Sequence, residues 1–124
     1  MTDAEFLQAL ADGSYPRDLM DHRAHLRLAL LHRDDPQAAR DLLLKYIRQI
    51  GGMVKYNETL TQFWLRAVGL HTEDTVDALM KTRLADVNLP FRHYSPERLW
   101  SDEARTKFVP PDLRPLPEIR GHNT

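Results

Sequence analysis

Residues 35–52, DPQAARDLLLKYIRQIGG, hold every signal of a helix from start to stop. Asp35 is a side chain that accepts hydrogen bonds from the free N–H groups of a first turn, and Pro36 suits the first helical position. Ala39, Leu42, Leu43, Tyr46, Ile47 and Ile50 then recur at i, i+3, i+4 and i+7, the period of one helical face. The pair Gly51-Gly52 stops it. The same grammar extends outward in both directions, and no stretch alternates with period two for long enough to be a strand.

Towards the N-terminus, a short helix is expected over Asp3–Ala11, with Thr2 as cap and Gly13 just past its end. A second begins near Pro16 and runs to about Arg33. Beyond the glycine pair, NETLTQFWLRAVGLH reads as a fourth helix, capped by Asn57 or Thr59, with Leu60, Phe63, Trp64, Ala67 and Val68 on its inner face. A fifth is expected from about Thr75 to Val87, stopped by Asn88 and Pro90. In the tail, Ser95-Pro96-Glu97 and Ser101-Asp102-Glu103 are two cap signatures in quick succession, followed by a proline-rich extended run over 109–117. Trp100 and Phe108 are the expected anchors of this segment. The class is all-α: a bundle of about four main helices, a short N-terminal helix, and a C-terminal strap of two short helices plus the extended segment. It forms one domain over 1–124, with an N-terminal arm (1–14), a helical core (15–90) and a strap and tail (91–124).

At 42% hydrophobic and 28% charged residues, a chain of 124 can bury a core without covalent staples. A net charge of −1, with the signs mixed along the chain, argues against nucleic acid as a partner. No apolar run approaches the roughly 18 residues that span a bilayer, so no membrane partner is expected. The N-terminus carries acids where a secretory leader needs basic and then apolar residues, so a cytoplasmic location is expected. With no cysteine, thiolate chemistry is excluded.

Chemistry is therefore sought among the histidines. MDHRAHLRLALLH, residues 20–32, carries three of the six: His22, His25 and His32. At about 100° per residue, His22 shares the stripe of Leu19, Leu26, Ala29 and Leu30, His25 lies at its margin, and His32 lies near the helix end. An imidazole on an apolar face is most often a satisfied core residue. Two at i, i+3 are also able to share a metal or a polar ligand. On the fourth helix Asn57, Leu60, Thr61, Trp64 and His71 share a face, which places Asn57 and Thr61 as polar groups at the inner edge near an N-terminus that favours anions. Glu58 projects away and reads as a solvated first-turn acid. The candidate site is a buried polar cavity lined by His22 and His25, as metal ligands or an acid–base pair, with Tyr56 as a further catalytic candidate and Asn57 and Thr61 as ligand-binding groups. A metal there would be a divalent first-row ion, because imidazole suits zinc, copper, nickel or iron.

Three stretches taken together, DHRAHLRLALL, KYNETLTQFWL and HYSPERLWSDEARTKFVPPDLRPLP, resemble a family of small bacterial all-helical proteins of uncharacterised activity. That family carries a His-x-x-His pair, a Lys-Tyr-His-x-Thr-x-Thr motif and a proline-ended tail, and the resemblance covers roughly 16–117. It places the paired histidines on His22 and His25, and the tyrosine and threonines on Tyr56, Thr59 and Thr61. Where many relatives have a third histidine this chain has Asn57, a poor ligand for such metals. The resemblance implies no particular reaction.

Two functional classes follow. One is a small metal-binding protein or enzyme acting on a small molecule in a histidine-containing pocket. The other is a non-catalytic helical module that binds a ligand, or docks a partner protein through its tail.

Overall fold

A computed structural model describes residues 1–117. The last part of the expected tail, 118–124, lies outside the described residues. Among the described residues there are helices and turns and no strand: α1 (Asp3–Asp12), α2 (His22–Leu31), α3 (Pro36–Gln49), α4 (Glu58–Gly69), and three short helices, α5 (Val76–Leu79), α6 (Pro96–Leu99) and α7 (Asp102–Thr106). The architecture is all-α, as the periodicity requires.

The caps explain most of the boundaries. Thr2 and Glu5 form a reciprocal capping box at α1, and Asp35 accepts from the N–H of Ala38 behind Pro36. Gly13 closes α1 at φ +79°, a left-handed conformation, and a Cβ there would meet the Gln49 side chain at 2.9 Å.

Two expected helices are interrupted. Pro16 leads only into a 3₁₀ turn, Arg17–Leu19; Asp21 then accepts from the N–H of Ala24 and starts α2 afresh, leaving Leu19 exposed. The helix expected over 75–87 is broken by Thr82. Its hydroxyl donates to the carbonyl of Leu79 (2.6 Å) and accepts from the N–H of Leu84 (3.1 Å), so the backbone turns into a separate 3₁₀ turn, Arg83–Ala85. Both interruptions come from residues that offer the backbone an alternative bond.

The core has two lobes, and α2 lies between them. Ala24 and Leu28 face Phe6, Leu10, Leu43 and Tyr46 of α1 and α3. Leu26 and Ala29 face Phe63, Val68, Leu84 and the C-terminal segment. The N-terminal arm is thus a packed element: Phe6 and Leu10 are fully buried, each contributing about 1.5–3 kcal/mol on removal from water.

The strap is folded onto α4, but not by the expected anchors. Trp100 is 54% exposed and meets the Phe91 ring at a tilt, and Phe108 is 37% exposed. In α6, a single turn, Leu99 takes the inward place and turns its neighbour Trp100 outward. Tyr94, Leu99, Ala104 and Val109 are the buried anchors, and the Tyr94 hydroxyl donates to the carbonyl of Val109 (2.6 Å). Thr59 completes the attachment. Its hydroxyl donates between the carbonyls of Ala104 (2.8 Å) and Lys107 (3.0 Å) and accepts from the N–H of Val109 (3.2 Å).

Thr59→Val keeps the shape and removes those bonds, leaving a buried N–H unpaired. It should lower the free energy of unfolding by about 1–3 kcal/mol. Urea denaturation checks this, and an unchanged midpoint would refute the attachment.

Candidate functional site

Helix α3 runs back along α2 and α4, and the three enclose a cavity of about 230 Å³. Leu28, Ala29, Leu43, Ile47, Leu60 and Leu65 make most of its surface apolar, which corrects the expectation of a polar cavity: the polar groups are a minority set among the apolar faces of three helices. All five candidate residues from the sequence, His22, His25, Tyr56, Asn57 and Thr61, line it, together with Arg40 and Trp64. His32 does not: it lies further along α2, where its Nδ1 meets the carbonyl of Leu28 at 3.1 Å. His71 pairs instead with Glu73, Nδ1 to Oε1 at 3.1 Å.

The two histidines are held through opposite ring nitrogens. A carbonyl only accepts, so a ring nitrogen that meets one must carry the proton. His22 Nε2 donates to the carbonyl of Leu84 (2.6 Å), and its ring lies edge-on to Trp64 at 4.6 Å. His25 Nδ1 donates to the carbonyl of Asp21 (2.7 Å), leaving Nε2 as the acceptor. Burial holds the His25 pKa below the ordinary imidazole value, and the neighbouring His22 lowers it further, against the pull of the Asp21 carbonyl and carboxylate. His25 is neutral at pH 7. Its Nε2 has no hydrogen-bond partner among the described residues, and a ring fixed through its other nitrogen is oriented to receive a proton or a ligand.

Tyr56 is a weaker catalytic candidate than the sequence suggests. Its hydroxyl donates to Glu58 Oε1 (2.7 Å), and burial, with that carboxylate, pushes its pKa up to about 12 although the Thr61 hydroxyl beside it acts the other way. It remains a phenol at neutral pH and does not serve as a base. Asn57 is committed at both ends. Its Oδ1 caps α4 by accepting from the N–H of Leu60 (3.0 Å), and Nδ2 donates to the carbonyl of Leu99 (2.8 Å). Thr61 makes no side-chain bond back to its own turn among the described residues, and its hydroxyl stays at the cavity wall.

Glu58 is a correction. It is 7% exposed, not a solvated acid, and it accepts from Arg40 Nε (3.0 and 2.9 Å), Gln62 Nε2 (2.8 Å) and Tyr56. Burial alone would raise its pKa; the bonds from Arg40, Gln62 and Tyr56 outweigh that and hold it below the ordinary value. The clue to Arg40 lies in the sequence: Arg40, Leu43, Leu44 and Ile47 are themselves an i, i+3, i+4, i+7 set. No local pattern marks Glu58, because its partner sits on another helix.

Among the described residues, no group of three or more His, Asp or Glu side chains is gathered to hold a metal ion. His22 and His25 are the imidazoles that line the cavity among the described residues, so a divalent ion there would need water or ligand atoms to complete its coordination. Comparison with protein-family models, with curated proteins and with solved structures finds no match to the chain.

Because the Glu58 pKa is lowered by folding, its contribution to stability is complete above the ordinary carboxylate value of 4.5 and is lost as pH falls below it towards the native value. Glu58→Gln should therefore be less stable than the parent by about 1–3 kcal/mol at pH 7, because among the described residues Arg40 is left with no close acid but Asp41. The gap should narrow in denaturation series below pH 4.5. A gap independent of pH would show that the carboxylate charge is not what matters there.

Proposed function

We propose that the protein binds a small, largely apolar molecule in the cavity between α2, α3 and α4, and that His25 receives a hydrogen bond or a proton from it. The observation that carries this reading is the neutral His25 ring. It is anchored through Nδ1 on the carbonyl of Asp21 and has an unpartnered Nε2 on a side chain that lines the cavity.

The size supports a small ligand. At about 230 Å³ the cavity is below the usual range for drug-sized ligands, about 300–1,000 Å³. It still exceeds the roughly 150 Å³ that suffices for benzene in an engineered apolar void. Its charge supports a neutral or weakly acidic ligand, since the cation at its border, Arg40, is already paired with Glu58. A weak acid bound there would meet a neutral imidazole able to take its proton, the first step of general-base chemistry. The Thr61 hydroxyl supplies a second polar contact on the facing helix.

The test is a thermal-shift screen of small apolar alcohols, carbonyl compounds and weak acids. Any compound that binds the native state raises its stability, by about 2.7 kcal/mol at a hundred times its Kd, which is several degrees in Tm. His25→Ala should lose that rise while its ligand-free melt stays close to the parent's. A rise with zinc or nickel alone, lost in both His22→Ala and His25→Ala, would move the reading to a two-histidine metal site. A screen in which neither compound nor metal shifts the melt would end it.

A further inference from the structure

What the histidine cavity can hold is set by the polar atoms it leaves free. His25 Nε2 is an acceptor, because Nδ1 carries the proton that goes to the carbonyl of Asp21. It is not sealed off without a partner, as Arg33 Nε is, and its side chain lines the cavity. A ligand must therefore bring a donor. Carboxylates and carbonyl compounds bring acceptors only. An ammonium brings donors with a full charge, which is costly to desolvate unless an acid is free to pair with it. Glu58, the acid behind Arg40, is already taken by Arg40, Gln62 and Tyr56. A neutral donor is what remains.

The wall narrows that class. Leu28, Leu43 and Leu60 are joined in it by the aromatic side chains of Tyr56 and Trp64, and aromatic rings favour edge-to-face or offset contact with another ring. The acceptor is an imidazole made less basic by burial, so it rewards an acidic donor that still stays neutral. A phenol, with a pKa of about 10, keeps its proton beside such a ring by more than about a thousandfold. Size agrees. About 230 Å³ exceeds the roughly 150 Å³ that suffices for benzene and leaves room for the hydroxyl. A second cavity, on the other side of α4, is bounded by the Arg83–Ala85 turn, the turn Leu89–Arg92 and the strap. At about 110 Å³, with Phe63, Leu84 and Leu89 in its wall, it falls short of a ring.

We infer that the ligand of the histidine cavity is a small neutral phenol, its ring among Leu28, Leu43, Leu60 and Trp64 and its hydroxyl donating to His25 Nε2. This rests on the function proposed above and narrows it to one class of donor.

The probe is phenol, titrated into the full-length ¹⁵N-labelled protein. Toluene keeps the ring without the donor, cyclohexanol keeps a donor without the aromatic ring, and benzoate keeps the ring with an anion. Saturable phenol shifts centred on Leu28, Ala29 and Leu60 are expected. Each of the other three should bind at least about tenfold more weakly, the scale of one hydrogen bond. His25→Ala should weaken phenol by about tenfold and leave toluene as in the parent, which shows the cavity intact. The assignment is overturned by toluene or benzoate that matches phenol, or by shifts that map to the second cavity. It is equally overturned if His25→Ala leaves phenol unchanged or weakens it no more than toluene. Cyclohexanol that matches phenol and depends on His25 overturns the phenol and leaves the proposed function in place. Failure of all four compounds, and of the wider screen, overturns both.

Discussion

The first turn of α4 holds the molecule together. Asn57, Glu58 and Thr59 are consecutive, and they are the buried polar residues of the described chain. At about 100° per residue the three side chains leave the turn in three directions. Asn57 reaches the carbonyl of Leu99 in α6, Glu58 reaches Arg40 in α3, and Thr59 reaches the carbonyls and the N–H at the end of α7 and beyond. Each would cost stability if buried alone, since an unpaired polar group in a low-dielectric interior loses its water without replacement. Each is instead satisfied by a different element, so α3, α6 and α7 all have their positions set from this one turn. A hydrophobic surface is tolerant of small slides and rotations; these bonds are not, and they fix the register in which the apolar faces meet.

The histidine cavity follows from the same turn. Tyr56 immediately precedes it, Asn57 belongs to it, and Thr61 is one helical turn beyond, so the polar wall contributed by α4 is an extension of its cap. The opposite wall is α2, whose two flanks are consumed by the two lobes of the core. What remains of α2 between the lobes is the strip that carries His22 and His25. A cavity arises there because α3 closes over it with residues that include alanine at 39 and a paired arginine at 40, side chains that do not fill the gap.

The all-α class and most of the helix starts were legible because they depend on local chemistry: Thr2, Asp35, Asn57, Ser95 and Ser101 each cap the helix that follows them. The gathering of His22, His25, Tyr56, Asn57 and Thr61 was legible too, since helical projection plus a short return through α3 brings two faces together. The interruptions at Asp21 and Thr82 were not, because a residue that caps at one position is tolerated inside a helix at another, and only the tertiary surroundings decide. Trp100 and Phe108 misled for a related reason. Their size and spacing suggested burial, but Trp100 follows a one-turn helix whose inward direction belongs to Leu99, and Phe108 lies past the end of α7. Glu58 was beyond reach of local pattern altogether. Beside Asn57 it looks like an ordinary first-turn acid, and its burial depends on Arg40, eighteen positions away.

The two cavities share α4 as a wall, and the T-shaped contact of Phe63 with Trp64 separates them. They differ in how their charges are balanced. At the first, the one guanidinium is neutralised by Glu58, whose carboxylate is further held by Tyr56 and Gln62, so an anion brought there would face an acid as well as a base. Desolvating a full negative charge without a free counter-charge is costly, whereas a neutral molecule that hands a proton or a hydrogen bond to His25 avoids that cost. At the second, Arg66 and Arg83 have no carboxylate partner among the described residues. The charge balance of the histidine cavity thus rests on the presence of Glu58 beside Arg40.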